Sequence, residues 1–449
     1  MTERAVDLRR QILALVREYH DATVREAPPF VPGDSLVRYA GRVFDHDELT
    51  HLVDASLDFW LTDGRYCSQF ETELAALIDV PVALLVNSGS SANLVAMSSL
   101  TSKALKDRRL RPGDEVITVA AGFPTTVNPI LQNQLVPVFT DVSLGTYVPT
   151  IESIERAVGP RTRAVMIAHT MGVPFPVAEV AELCRRKAMW LVEDNCDALM
   201  SRYDGRPTGT FGDLATFSFY PAHHVTTGEG GAVVAKNETL ARIARSFRDW
   251  GRDCHCRSGK NNSCGKRFSQ QFGSLPVGYD HKYVYSHVGY NLKVTEMQAA
   301  IGVAQLKKIE AFTAARKRNH ARLHRVFEAR AEVVMPHAAT PRSDPSWFGY
   351  VATVRPDSGL TRTSVLRSLT RSQVETRNLF CGNLLRHPAY EGIPHRLAEP
   401  LVNTEVITDG TFFVGVYPGM TDAMMEQLET AVEEALNPAA HDATRRITL

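Results

Sequence analysis

The chain has neither an excess of charge of one sign nor a long hydrophobic run. Its 449 residues include 50 Lys plus Arg and 50 Asp plus Glu, so the formal net charge at pH 7 is zero. This balance gives no bulk electrostatic attraction toward nucleic acid or an anionic membrane. No apolar run approaches membrane-spanning length, and the first residues, MTERAVDLRRQ, lack the apolar segment of a signal peptide. We therefore expect a cytoplasmic protein that binds neither nucleic acid nor a membrane.

Cysteine is scarce, but its distribution is informative. Three of the seven cysteines, Cys254, Cys256 and Cys264, fall within the segment CHCRSGKNNSC, whose Gly and Asn content predicts an irregular loop. A chain of this length builds a core without disulfides, so bound metal is the leading explanation for three clustered thiols. Cys196, at the end of the predicted strand in WLVEDNC, is the candidate fourth ligand. From the clustered cysteines alone, an iron–sulfur cluster and a structural zinc site are about equally favoured.

Short β-rich apolar runs alternate with helix-length segments from about residue 80. The runs are VALLVN, DEVITV, VPVFTDV, AVMIAH, WLVEDN, LATFSFY and GAVVA. This alternation predicts an α/β fold with a mostly parallel, seven-stranded sheet covered by helices on both faces. We expect an N-terminal helix and arm over 1–30, a large domain over 31–305 with an inserted Cys-rich loop at about 252–285, and a smaller α+β C-terminal domain over 306–449. One long helix, beginning at TEMQAA, is expected to connect the two domains.

Two polar segments lie at the ends of predicted strands, where ligands bind in parallel sheets. The turn NSGSSANL precedes a helix start, and its backbone amides suit a phosphate, although a simple helix cap fits the same residues. Asp194 ends the strand in WLVED, and such a carboxylate either caps the next helix or meets a ligand.

Together with SFYPAHHVTTGEGG, VEDNCDAL and GYNLKVTEMQAA, these segments resemble the DegT/DnrJ/EryC1/StrS sugar aminotransferase family over about residues 30 to 435. The resemblance implies the fold type I of pyridoxal phosphate (PLP) enzymes and a homodimer with shared active sites. In that family a lysine holds the cofactor covalently and moves protons.

The resemblance also implies roles for individual residues. Asp194 would pair with the pyridinium nitrogen of the cofactor and Phe123 would stack on its ring; the alternative for Phe123 is a core position. The implied phosphate contacts are Gly89, Ser90, Ser218 and, entering the neighbouring subunit, Asn291. The implied contacts to a nucleotide-sugar substrate are Lys293, Arg377, His387 and, with less support, Phe348.

The chain departs from the aminotransferase pattern in three places. His223 stands where the lysine is expected, so proton transfer is kept and the covalent bond is lost; the register favours His223 over His224. Asp197 occupies a position usually held by glutamine or histidine, and we expect it and Tyr220 to tune the chemistry or to serve as structural hydrogen-bonding residues. Cys196 replaces a small apolar residue.

The spacing Cys-x57-Cys-x-Cys-x7-Cys resembles the [2Fe–2S] motif of hexose 3-dehydrases that make 3,6-dideoxy sugars. This resemblance implies pyridoxamine phosphate (PMP) as cofactor, a nucleotide-linked 4-keto-6-deoxyhexose as substrate, loss of its C3 hydroxyl, and electrons from a reductase, ferredoxin or flavodoxin. Three alternatives remain: a glutamate-dependent PMP 3-dehydratase, an ordinary sugar aminotransferase, which the missing lysine opposes, and a zinc-stabilised scaffold without catalysis. The sequence leaves open the choice between CDP and dTDP.

Overall fold

The computed structural model describes residues 2–25 and 28–439. Its main sheet has eight strands in the order β1-β9-β8-β5-β4-β2-β3-β14. The strands of this sheet are β1 (Val82–Val86), β2 (Glu115–Val119), β3 (Val136–Thr140), β4 (Thr162–Ala168), β5 (Trp190–Asp194), β8 (Leu214–Ser218), β9 (Gly231–Ala235) and β14 (Arg396–Leu397). All seven apolar runs form strands, as predicted. The eighth, β14, joins parallel to β3 and is two residues long, which is too short for a sequence signal.

The sheet is parallel from β8 through β14, and only β9 runs antiparallel to its neighbours β1 and β8. Helices cover both faces, as predicted. The helices of this part of the chain are α1 (Glu3–Arg25), α2 (His46–Asp58), α3 (Arg65–Leu77), α4 (Gly89–Ser99), α5 (Pro124–Gln132), α6 (Ile151–Ala157), α7 (Val177–Arg186), α8 (Glu238–Arg248) and α9 (Glu296–Leu306). Within the described residues, no helix combines the length and apolar character needed to cross a membrane.

Alternate residues of one strand show how both faces are buried. Leu84 and Val86 pack with α4 and α8, whereas Ala83 and Leu85 pack with α3 and α9. Two covered faces explain why the strands read as nearly continuous apolar runs. The parallel strands also bring the residues that come after β2, β4, β5 and β8 to one edge of the sheet, which is where the candidate site lies.

The C-terminal region builds a second, antiparallel sheet in the order β10-β12-β15-β13. Its elements are α10 (Ile309–Glu328), β10 (Val334–Met335), β12 (Gly349–Val354), α11 (Arg362–Arg371), β13 (Arg377–Asn378), α12 (Val402–Gly410), β15 (Thr411–Gly415) and α13 (Asp422–Ala435). A third sheet consists of β6 (Arg202–Tyr203), β7 (Arg206–Pro207) and β11 (Ser343–Asp344). The proposed division of the chain near residues 30 and 305 stays a prediction.

The long connecting helix predicted from TEMQAA is two helices, so this prediction was wrong. The helix is interrupted at Lys307 and Lys308, between the end of α9 and the start of α10. The Lys308 ammonium contacts Glu48 at 2.6 Å and Asp45 at 2.8 Å, which ties the break to the start of α2. α9 then packs on α2 and α3 while α10 packs on α13 and β12. No Gly or Pro marks the break, so the sequence pattern could not reveal it.

Candidate active site

A cavity of about 660 Å³ opens at the carboxyl ends of the parallel strands. It is lined by ten of the sixteen predicted site residues and by Phe348. The ten are Gly89, Ser90, Phe123, Asp194, Cys196, Asp197, Ser218, Tyr220, His223 and Arg377. Segments far apart in sequence therefore meet as the strand-end argument predicted.

Asp194, the last residue of β5, is held rigidly in the floor of this cavity. Its Oδ2 accepts hydrogen bonds from Asn93 Nδ2 at 2.8 Å and from Thr126 Oγ1 at 2.7 Å. Asn93 is in turn fixed by a 2.6 Å bond that its Oδ1 accepts from Thr216. These donors fix the orientation of the carboxylate, as a partner for a cationic ring nitrogen requires.

The N-terminus of α4 forms a tight backbone cradle beside Asp194. Ser88 caps the helix, since its hydroxyl accepts a hydrogen bond from the Ser91 amide at 3.0 Å. A Cβ atom added to Gly89 would lie 2.5 Å from Ser218 Cβ and 2.9 Å from Cys196 Sγ, so only glycine fits there. The backbone amides of a helix start and the helix dipole favour an anion at this point.

His223 faces the cavity, and its environment keeps the imidazole neutral. Its Nδ1 lies 3.5 Å from Asp197 Oδ1 and has no hydrogen-bond partner among the described residues. Burial lowers the pKa of His223 to about 4. A neutral imidazole at pH 7 whose Nδ1 has no partner in the described part of the chain is able to accept a proton.

The two adjacent histidines have different surroundings. His224 is buried and its Nε2 bonds to the Ser346 carbonyl at 2.8 Å, so its ring points away from the cavity. This geometry agrees with the preference for His223 as the base.

The other two residues proposed to tune the chemistry also line the cavity. Burial, with a further contribution from Asp194, raises the pKa of Asp197 to about 7. Tyr220 is 49% exposed, and its ring centroid lies 6.5 Å from that of His223. Asp197 is therefore the closer neighbour of the imidazole, and the roles of both residues stay predictions.

Arg377 lies on β13 at the cavity, whereas His387 does not line it. The Arg377 guanidinium stacks 4.1 Å from the Tyr39 ring centroid and donates to Glu375 at 2.7 Å. His387 is exposed, and its Nε2 bonds to the Cys381 carbonyl at 2.8 Å. The substrate contacts predicted for both residues stay predictions.

Asn291 and Lys293 lie outside the cavity of their own chain. Lys293 donates to Asn291 Oδ1 at 2.6 Å, and its ammonium stacks 3.5 Å from the ring of Trp250. Their predicted contacts are in the neighbouring subunit and stay predictions.

The four cysteines do not come together within one chain. Cys254, Cys256 and Cys264 line a small cavity in the predicted irregular loop, whereas Cys196 lines the large cavity. Among the described residues, no three cysteines bring their sulfur atoms within 4.8 Å of one another. In the part of the chain that the structure describes, the four thiols are therefore divided between two cavities.

Three residues that support the site could not be recognised from the sequence. Asn93 and Thr126, which orient Asp194, are polar residues near helix starts, where capping is the ordinary interpretation. Arg316, on α10, is fully buried and donates to the carbonyl of His223 at 3.0 Å and to that of Phe348 at 3.1 Å. A lone arginine in a charged helix resembles a surface residue, so only the tertiary structure reveals this contact.

Comparison with known proteins places the chain in a family. The model of the DegT/DnrJ/EryC1/StrS aminotransferase family matches residues 44–433. The chain belongs to this family. It is 52% identical to the dTDP-4-dehydro-2,6-dideoxy-D-glucose 3-dehydratase of Saccharopolyspora spinosa, covering 96% of this chain and 93% of that protein. It is 50% identical to the lipopolysaccharide biosynthesis protein RfbH of Salmonella typhimurium, covering 96% and 98%.

A solved structure shows the same fold with a cofactor bound. It is the GDP-4-keto-6-deoxy-D-mannose-3-dehydratase of E. coli with hydrated PLP, at a TM-score of 0.79 and 26% identity over 89% of this chain and 100% of that one. The predicted fold type I architecture is thereby confirmed. The fixed carboxylate of Asp194 and the amide cradle at Gly89 fit the ring nitrogen and the phosphate of such a cofactor.

Gly89→Ala tests the cradle. We expect about tenfold weaker PLP or PMP binding, because the added methyl group overlaps Ser218 and pushes the helix start out of place. Cofactor titration followed by absorbance measures this. Gly122→Ala is the matched control, because its nearest neighbour, Val119, is 3.8 Å away. Equal affinity in the two variants would contradict a phosphate site at Gly89.

Proposed function

We propose that this chain removes the C3 hydroxyl of a nucleotide-linked 4-keto-6-deoxyhexose, using noncovalently bound PMP. Its relatives from S. spinosa and E. coli are named as 3-dehydratases of such sugars. The support from the chain itself lies in the residues that surround the cavity.

One observation carries this proposal: a neutral histidine stands where an aminotransferase needs a lysine. His223 lines the cavity, and no lysine is among the described residues that do so. A site without that lysine cannot hold PLP covalently, yet it retains a proton acceptor. An ordinary aminotransferase is therefore disfavoured. A scaffold without catalysis has no use for an aligned Asp194 and His223.

Each residue around the cavity has its own task. PMP, when bound, supplies an amino group for the substrate ketone and a conjugated ring that accepts electrons. Asp194 holds the ring nitrogen protonated, and the amides at Gly89 hold the phosphate. His223 accepts the proton from the cofactor's C4′ carbon, since its low pKa keeps it neutral. Arg377, a forked donor at the cavity, is placed to bind the diphosphate.

If PMP is not itself converted to PLP in the reaction, a reduction must follow loss of the hydroxyl to give a 3-deoxy sugar. That reduction requires two electrons, and a [2Fe–2S] cluster would supply them singly from a reductase, ferredoxin or flavodoxin. Cys254, Cys256, Cys264 and Cys196 are the proposed ligands. The spacing of these cysteines and the irregular loop that holds three of them support this assignment. The enzyme is proposed to act as a homodimer.

A glutamate-dependent PMP 3-dehydratase is the second candidate. The separation of Cys196 from the other three thiols within one chain favours it, because that reaction needs no cluster. Its active site would use the same His223 and Asp194. The two candidates therefore differ in whether the enzyme binds an iron–sulfur cluster, and in whether it consumes electrons from a donor protein or the amino group of glutamate.

Metal analysis of anaerobically purified protein separates the candidates. We expect about two iron and two acid-labile sulfide ions per chain, and their loss in Cys256→Ser because a ligand is removed. Cys381→Ser, which changes a half-buried thiol outside both sites, should keep them. Zinc, or turnover that requires glutamate and no iron, would overturn the electron-transfer proposal. Absence of C3–O cleavage with PMP and either electron source would overturn the dehydration itself.

A further inference from the structure

A continuous row of aromatic rings lines the large cavity. The ring centroid of Phe380 lies 5.7 Å from that of Phe123 and 6.4 Å from that of Phe413. The ring centroid of Phe348 lies 6.0 Å from that of Phe413 and 5.3 Å from that of His223. All five residues line the cavity. The row therefore runs from the ring that we expect against the cofactor to the imidazole proposed as the base.

The four phenylalanines of this row offer a ligand neither a hydrogen-bond donor nor an acceptor. A hydroxyl group that is buried without a partner costs free energy, whereas a methyl group that moves from water to an apolar surface gains it. Phe413 and Phe348 are 3% and 7% exposed and belong to a hydrophobic core cluster, so this surface is fixed from behind. The part of a ligand that lies against the row should therefore carry C–H groups.

Phe380 is held in the middle of the row in an unfavourable backbone conformation. Its φ is 44°, in the left-handed region that bulky side chains rarely adopt. The buried Leu379 beside it accepts a hydrogen bond from the Gly382 amide at 3.0 Å, and the Asn383 amide donates to Thr408 at 2.7 Å. Strained residues that are held in this way are concentrated at ligand sites. The turn thus keeps a partly buried ring at the cavity at a cost in backbone energy.

The position of Phe380 in the chain relates it to the sugar of the substrate. It follows three residues after Arg377, the proposed diphosphate contact, and both residues line the cavity. The diphosphate of a nucleotide sugar is attached directly to the sugar ring, so one segment reaches both groups.

The order of the ring carbons indicates which part of the sugar meets Phe380. C4, the carbon of the ketone, has C3 and C5 as its ring neighbours. C3 carries the departing hydroxyl and needs the polar residues around His223. C5, which carries the C6 methyl group, then lies on the other side of C4, toward the part of the row that contains Phe380 and Phe123.

We propose that Phe380 determines the specificity for a deoxy sugar by packing against the C6 methyl group of the nucleotide-linked hexose. This inference rests on the proposed function, because it concerns the sugar of the same substrate. It assigns the choice between a methyl group and a hydroxymethyl group at this position to one residue of the aromatic row.

Binding of two unreactive nucleotide sugars tests this contact. dTDP-glucose and dTDP-6-deoxyglucose lack the ketone and differ from each other only in the C6 hydroxyl. Calorimetry on the PMP-loaded protein gives their dissociation constants, and the corresponding CDP and GDP pairs are measured in parallel. We expect the 6-deoxy sugar to bind about 10–100-fold more tightly, the range for one small group in an apolar pocket.

Phe380→Asn should bring the two affinities to within about threefold of each other, because it removes the ring and supplies hydrogen bonds to the C6 hydroxyl. Asparagine is well tolerated in the left-handed region, so the turn should still fold. Phe380→Leu keeps an apolar side chain and should keep the preference for the 6-deoxy sugar. Phe59→Asn is the matched control, because Phe59 has a φ of 50°, is 76% exposed and is not among the residues that line the cavity.

The outcomes separate this inference from the proposed function. Equal affinity for the two sugars in the wild type overturns the inference and leaves the proposed substrate class standing. Phe380→Asn that weakens both sugars equally and keeps their ratio also overturns it, because a merely structural residue would have that effect. If none of the nucleotide sugars binds to the wild type, the proposed substrate class fails, and the inference fails with it.

Discussion

His223→Asn is expected to lower the turnover of 3-dehydration by about 10²–10⁴-fold, the contribution of a positioned general base. Asparagine fills similar space and retains hydrogen-bonding groups, but it cannot accept the proton. Cofactor affinity should change little, because the phosphate cradle and Asp194 are untouched. Steady-state turnover and cofactor titration measure the two effects separately. His395→Asn is the control, since that ring is exposed and does not line the cavity; it bonds to the Ile393 carbonyl and packs near Phe139.

The pH dependence gives a second measure of the same residue. Burial lowers the pKa of His223 from 6.5 to about 4, so the base stays unprotonated through the neutral range. The rate should therefore fall as pH drops through about 4, not through 6.5, and this acid limb should be absent in His223→Asn. Asp197, with a pKa of about 7, is the imidazole's neighbour, and a limb that comes from it should persist in His223→Asn. A wild-type limb near 6.5 that disappears in His223→Asn, or an unchanged rate in the variant, would contradict the assignment.

Asp194→Asn is expected to reduce turnover by about 10²–10³-fold, comparable to removing one preorganised electrostatic contact in other active sites. The amide oxygen still accepts from Asn93 and Thr126, so the fold should persist. What is lost is the negative charge that, in the proposed assignment, would keep the ring nitrogen of the cofactor protonated and the ring able to accept electrons. Turnover and PMP affinity are the measurements.

Thr126→Val provides a graded comparison. It removes one of the two side-chain donors to Asp194 Oδ2, at 2.7 Å, and leaves the charge in place. A neutral-to-charged hydrogen bond contributes about 1.5–3 kcal/mol, so we expect a loss smaller than that of Asp194→Asn. If Asp194→Asn matched the wild type, the pairing with the ring nitrogen would be wrong.

The sequence predicted those features that depend on strand order and on short motifs. Seven apolar runs became seven strands, and because most are parallel, Gly89, Asp194 and Ser218 meet at one edge. The residues that orient this group, Asn93 and Thr126, were not predicted, because their function depends on a contact across the sheet. The helix break at Lys308 depends likewise on tertiary ion pairs.

The cysteine loop shows a different limit of sequence interpretation. The spacing predicts a set of four thiol ligands, but spacing does not say where the side chains lie. In the structure Cys196 lines the large cavity and the other three cysteines line the loop cavity, whose base is bonded to residues 284–291.

Arg316 has a consequence for motion in the enzyme. Its guanidinium joins the carbonyl of His223, on the strand side, to those of Trp347 and Phe348 in the C-terminal region. A shift of α10 would therefore move the backbone that carries the imidazole together with the start of β12. The position of the base in the cavity is thus tied to the C-terminal region through a single planar side chain.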